Sequence, residues 1–298
     1  MGSGDVPRTD MGTPQLEFES DVAGRIYRYV ERRGSATREE VRDGVRVEES
    51  AGAKPPRSGT EPAARLSVAE FNEYIDDLLD AGPLTERDGH LYVSPDEEAW
   101  THETEEFEYA VRPADEDDRE AVASRIREIA DERAIVVDER VADAVGHGPT
   151  SNRTASDDAI EQDGALIRLN ERESRMFFVA ETRGGDGEEA ESDGEIVGWV
   201  HVHGLELPAR SHTAELTVGV APEYRERGIG GTLLERGISW ADEEDCIKVY
   251  QSLPATNEAA LDMLDEHGWE REATRADHYE VGGDLVDEVQ MAKRLDEE

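Results

Sequence analysis

Residues 216–234 constrain this chain more than any other stretch. Leu216, Val218 and Val220 form an apolar, β-branched run that reaches a turn at Pro222. Arg225 and Arg227 come next, then Gly228, Gly230 and Gly231, and then Leu233, Leu234, Ile238 and Trp240 recur at helix spacing. The order is strand, glycine-rich loop, helix. Such a loop turns backbone N–H groups outward, and the helix N-terminus adds partial positive charge, so the segment suits a phosphate or pyrophosphate. Glycine at 228 and 230 puts no Cβ between backbone and ligand. Arg225 and Arg227 add charge-assisted contacts. A Walker loop is excluded, because Gly230 is followed by Gly231-Thr232 and not by Lys-Ser or Lys-Thr. A dinucleotide fingerprint is excluded too, because Gly228-x-Gly230 runs on to Leu233.

The hexapeptide Arg225-Glu226-Arg227-Gly228-Ile229-Gly230 meets the pattern Gln/Arg-x-x-Gly-x-Gly/Ala. Upstream lies Ala214–Pro222, and downstream lies the apolar run Ile247–Leu253. Asn257-Glu258-Ala259-Ala260-Leu261 then opens a helix that ends at His267-Gly268-Trp269. On these motifs, residues 107–298 resemble the GNAT superfamily of N-acetyltransferases, most specifically over 214–269. The resemblance implies an α/β (α+β) fold: a mixed, mostly antiparallel central sheet flanked by helices, whose fourth and fifth strands splay apart. It implies acetyl-CoA as co-substrate, with the thioester in the gap and no metal. The backbone of Arg225, Glu226, Arg227, Gly228, Ile229, Gly230 and Gly231 would hold the CoA phosphates. N–H groups around Val218 and Val220 would hold the thioester carbonyl, with Gly219 permitting a local bulge. Asn257 would face the pantetheine or the fifth strand, although its position suits a plain helix cap equally well.

Transfer to an amine needs a base, because an amine is mostly protonated at neutral pH. Glu215, on the fourth strand, is the first candidate, since a carboxylate between apolar strands has a raised pKa. A solvated strand residue in an acidic chain is the competing reading. The resemblance places a tyrosine acid at position 264, where this chain has Leu264. Tyr279 is taken as its replacement, with Tyr250 and Ser252 as alternatives. His201 and His203 alternate on one strand face with Trp199, but no third metal ligand has a recognisable spacing. Cys246 reads as a small buried hydrophobe.

The 298 residues carry 73 acidic and 32 basic side chains, a formal net charge of −41. Such self-repulsion opposes compaction at ordinary ionic strength and is screened within about 3 Å in molar salt. The expectation is a cytoplasmic protein of a salt-rich cell. A single cysteine excludes an internal disulfide, and no apolar run approaches the length of a membrane span.

Residues 1–15 read as a flexible tail, 16–95 as a winged-helix-like domain, 96–106 as an acidic linker and 107–298 as the acetyltransferase domain. In the small domain, Val22, Ile26, Tyr29 and Val30 mark a first helix ended by Gly34. Thr37 with Glu40 and Ser67 with Glu70 form capping boxes for two more, and Asp88-Gly89 turns a hairpin. The third helix carries Glu70, Glu73, Asp76, Asp77 and Asp80 without a Lys or Arg, so DNA is not expected as a partner. A protein partner is expected through 16–95. Arg25, Arg28 and Arg32 line one face of the first helix and read as a solvated face with internal ion pairs. In the larger domain the expected elements are a strand at 107–112, helices at 115–132 and 138–145, strands at 176–181 and 196–203, and closing strands at 275–281 and 288–294.

The leading expectation is an acetyl-CoA-dependent N-acetyltransferase acting on a primary amine, in a small molecule or a protein, by direct attack in a ternary complex. The rivals are a transcriptional regulator with an acyl-CoA-sensing domain and a catalytically silent acyl-CoA-binding module.

Overall fold

A computed structural model describes residues 18, 20–45, 66–94, 98–131, 166–169, 174–183, 194–204 and 208–296. The expectations for 1–15 and 138–145 lie outside these residues. The chain forms two compact units, Pro14–Asp96 and a larger one that includes Glu97–Glu298.

The small unit contains helices α1 (Asp21–Arg33), α2 (Arg38–Gly44) and α3 (Val68–Asp80) and strands β1 (Ser35–Thr37), β2 (Leu84–Arg87) and β3 (His90–Val93). Both capping boxes form, with Thr37 and Ser67 bonded reciprocally to Glu40 and Glu70. Asp88 and Gly89 turn the β2–β3 hairpin at φ 49° and 79°, the two positive values a tight twisted hairpin needs. β1 pairs with β3 and completes a three-stranded sheet. Ile26, Val30, Phe71, Ile75 and Leu91 fill the core between helices and sheet.

The larger unit is built on one nine-stranded sheet. Its strands are β4 (Trp100–Glu103), β5 (Glu108–Pro113), β6 (Arg168–Leu169), β7 (Ser174–Arg183), β8 (Ile196–Gly204), β9 (Thr213–Val220), β10 (Lys248–Pro254), β11 (Glu270–Val281) and β12 (Asp284–Arg294). They lie in the order β11-β12-β10-β9-β8-β7-β5-β4, with β6 on β7, and among the described residues only β9–β10 is parallel. Helices α4 (Arg119–Asp131), α5 (Ile229–Glu243) and α6 (Glu258–Glu266) flank it. Leu233 of α5 packs at Gly198, and Ile129 of α4 at Gly219 beside Trp199. Successive strand residues point to opposite faces, so α4 and α5 cover opposite faces of β8 and β9.

Two expectations change. Residues 100–103, read as acidic linker, form strand β4 on β5; Trp100 earns its place there by stacking on the buried Arg236 guanidinium, 4.8 Å away. Gly219 makes no bulge, because β8 and β9 pair without a register shift from Gly198↔Val220 to Gly204↔Ala214. It is glycine for close approach: a Cβ would sit 2.9 Å from both Trp199 Nε1 and Ile129 Cδ1. Among the described residues no helix is long and apolar enough to cross a membrane.

Candidate functional site

β9 and β10 pair over three positions only: Lys248↔Thr213, Val249↔Ala214 and Tyr250↔Glu215. Beyond that point β9 stays on β8 as far as Val220, and β10 stays on β12 as far as Pro254. Each strand keeps its outer neighbour and loses the inner one. A gap therefore opens in the middle of the sheet, just past Glu215 and Tyr250.

β9 leads from this gap into the glycine-rich loop. Pro222–Tyr224 form a single 3-10 turn. Glu226 (φ 59°) and Gly228 (φ 82°) are both left-handed, which turns successive N–H groups toward one side. Gly228 is the N-cap of α5 and no side chain caps that end, so the helix presents its first-turn N–H groups to whatever anion binds. Nothing lies within 4 Å of a Cβ at 228; its positive φ, and not crowding, calls for glycine. The arginines brace the loop. Arg225 Nε donates to the Val220 carbonyl at 2.9 Å. Arg227 donates to Glu106 at 2.9 Å and lies over the Phe107 and Tyr224 rings. Gly231 has the side chain of His267 against it, and Ile229 is buried. Asn257 is the N-cap of α6 and accepts from the Ala260 N–H at 3.2 Å. Val218 and Val220 point to the α5 face, because they alternate with Gly219.

Glu215 is directly opposite His203 on β8 and Tyr250 on β10, so all three side chains share the α4 face. Burial pushes the Glu215 carboxyl above the usual range, against the opposing pull of Arg210 and a hydrogen bond with Tyr250. Tyr250 is buried, which with the nearby Glu215 charge raises its phenol to about 12. Its hydroxyl accepts from Arg210 Nη2 at 3.2 Å. Tyr279 donates to Glu288 at 3.2 Å, and burial and that carboxylate push its pKa up. Glu288 also takes Arg275 at 2.7 Å. Tyr279 is thus bonded to a second carboxylate, whereas Tyr250 lies directly across the strand pair from Glu215. Leu264 is wholly buried. Arg210 had no sequence signal: it acts through the β9–β10 pairing, which a linear pattern does not reveal.

His201 stacks on Phe177 (centroids 4.4 Å apart, 14° between planes) and on His203 (5.7 Å, 15°). Burial, with His203 and Arg175 nearby, drives its pKa well below the ordinary value. A depressed histidine pKa adds stability that is complete above about pH 6.5 and is lost as pH falls toward the lowered folded value. His201→Phe should therefore remove part of the loss in melting temperature between pH 7.5 and pH 5; an unchanged loss would show that His201 does not titrate this way. Among the described residues no group of three potential metal ligands occurs. Burial raises the Cys246 thiol to about 12, which leaves it protonated and unreactive.

Residues 150–269 match the model of the acetyltransferase (GNAT) family. The chain is similar to the L-amino acid N-acetyltransferase AaaT of Escherichia coli (strain K12), at 26% identity over 102 residues, which are 34% of this chain and 63% of that relative. The match thus spans less than two thirds of the relative's length. Among solved structures, a GCN5-related N-acetyltransferase from Kribbella flavida is 20% identical with a TM-score of 0.46, covering 63% of this chain and 98% of that one. The structure of yncA from Salmonella typhimurium with its cofactor acetyl-CoA is 19% identical with a TM-score of 0.43, covering 64% and 95%.

Proposed function

We propose that this chain is an acetyl-CoA-dependent N-acetyltransferase that acetylates a primary amine by direct attack within a ternary complex. One observation carries the reading: the gap between β9 and β10 opens beside a raised-pKa carboxyl, and the strand forming one side of it runs directly into an uncapped helix N-terminus. The CoA phosphates would sit on the backbone of Arg225–Gly231 and the thioester in the gap, its carbonyl on N–H groups near Val218 and Val220. Asn257 would line the pantetheine side.

Glu215 is the proposed base. The acceptor enters as the free amine, its ammonium proton lost to solvent, and Glu215 takes one further proton from the nitrogen as it attacks the carbonyl carbon. The carbon–sulfur bond breaks, and the leaving sulfur needs one proton. Tyr250, directly opposite Glu215 in the sheet and protonated at neutral pH, is the better placed donor; Tyr279, engaged with Glu288, is second. A proton passed from Glu215 to Tyr250 restores both groups, so the transfer balances without a metal. The name of the curated relative makes L-amino acids the first acceptors to test.

The small unit's three helices and hairpin resemble a winged helix. The acidic outer face of α3 weighs against a DNA-reading regulator. The net charge of −41 supports a salt-rich cytoplasm. A catalytically silent module stays in view for one reason, the buried Leu264 at the family's acid position.

Calorimetric titration of acetyl-CoA in molar KCl tests the proposal. Saturable binding is expected, and Gly228→Glu should weaken it at least tenfold by setting a carboxylate at the phosphate position on a strained backbone. Folded wild-type protein that binds no acetyl-CoA would end the proposal.

A further inference from the structure

We infer that the unit Pro14–Asp96 carries a second binding site, for a compact phosphate-bearing anion, in the groove between α1 and the end of α2. The groove is lined by Arg25, Arg28, Arg32, Tyr29, Gly44 and Val45. The arginines stand at i, i+3 and i+7, one stripe of α1, opposite the stripe of Ile26, Tyr27 and Val30 that enters the core.

Ion pairing sets this stripe apart. Arg33, Arg38, Arg42 and Arg87 of the same unit each lie within 4.0 Å of a carboxylate, as does Arg25 with Asp21. Arg28 and Arg32 pair with no carboxylate among the described residues, and both are exposed. In a chain with more than two acids per base, two unneutralised guanidinium groups one turn apart keep repulsive charge that an anion would relieve. The reading of this stripe as internally paired therefore holds for Arg25 alone.

The wall beside them is built. A Cβ at Gly44 would fall 2.0 Å from Tyr29 Cε2, so only glycine admits the ring there. Arg33 covers the same ring at 4.9 Å from its centroid. Tyr29 is thereby held between Gly44 and Arg33 in the wall of the groove. Guanidinium forks match the paired oxygens of phosphate, and several on one helix turn converge on neighbouring phosphates.

Compactness follows from the surroundings. α3 of the same unit turns Glu70, Glu73, Asp76, Asp77 and Asp80 outward, which repels a long polyanion such as duplex DNA while leaving room for a ligand confined to the groove.

The probe is inorganic pyrophosphate, titrated by calorimetry at 0.2 M KCl into full-length Gly228→Glu protein, in which the proposed acetyl-CoA loop is blocked. Saturable binding is expected, and Arg28→Glu with Arg32→Glu should weaken it at least tenfold while circular dichroism stays unchanged. The milder Arg28→Gln with Arg32→Gln should weaken it less. No saturable binding, or binding indifferent to both arginine pairs, overturns the inference. Tighter binding of a 20-base-pair duplex than of pyrophosphate also overturns it, in favour of a nucleic-acid surface. None of these outcomes depends on acetyl transfer.

Discussion

Glu215→Gln is expected to lower acetyl transfer by about 10²–10⁴-fold while acetyl-CoA affinity stays within twofold. The amide keeps the shape and cannot take the amine proton. The assay is release of free CoA thiol with a panel of L-amino acids and simple primary amines. Wild-type turnover should rise with pH through the elevated pKa of Glu215. An active wild type with an equally active variant would remove Glu215 from the mechanism; an inactive pair that still binds acetyl-CoA would favour the silent module. Stability should move the other way. The folded pKa of Glu215 is raised, so its contribution to stability is greatest below the unfolded carboxyl value near 4 and is lost as pH rises through the folded value. Above the folded value the buried carboxylate opposes folding, and there the glutamine variant should be at least as stable as the wild type. Activity falling while stability holds or rises is the signature of a functional burial, and unfolding of the variant would contradict it.

Trp199→Ala is expected to destabilise the larger unit by about 3–5 kcal/mol. The side chain is fully buried, packs on Phe177 at 6.2 Å between centroids, and fills the space that Gly219 leaves. It bridges the sheet and α4 on the face that carries Glu215. Its indole N–H has no hydrogen-bond partner among the described residues, so Trp199→Phe should cost much less, under about 1.5 kcal/mol. The four tryptophans, at 100, 199, 240 and 269, all belong to the larger unit, so urea unfolding followed by tryptophan emission reports on that unit alone. Equal losses for the two substitutions would assign the effect to something other than cavity formation.

What the sequence by itself determined is short-range. The capping boxes at Thr37 and Ser67, the Asp88-Gly89 turn and the Gly228 helix start each depend on residues a few positions apart, and their φ values and hydrogen bonds follow from side-chain chemistry that needs no distant partner. The β9–loop–α5 unit was legible for that reason, and so was the position of Glu215 on β9. The tertiary structure decided what depends on pairing between distant segments. The acidic composition of 96–106 concealed β4, which exists because β5 offers a free edge and Arg236 a flat cation for Trp100. The role of Gly219 depended on Trp199 and Ile129, twenty and ninety residues earlier in the chain. Whether Tyr250 or Tyr279 meets Glu215 was open in the sequence, because a tyrosine on a strand can point either way until register is set. The three-residue pairing of β9 with β10 set it, placing Tyr250 opposite Glu215 at the point where the strands part and leaving Tyr279 to Glu288. Arg28 and Arg32 teach the same lesson on α1: helix spacing put them on one face, but only the packed unit showed that no carboxylate among the described residues reaches them.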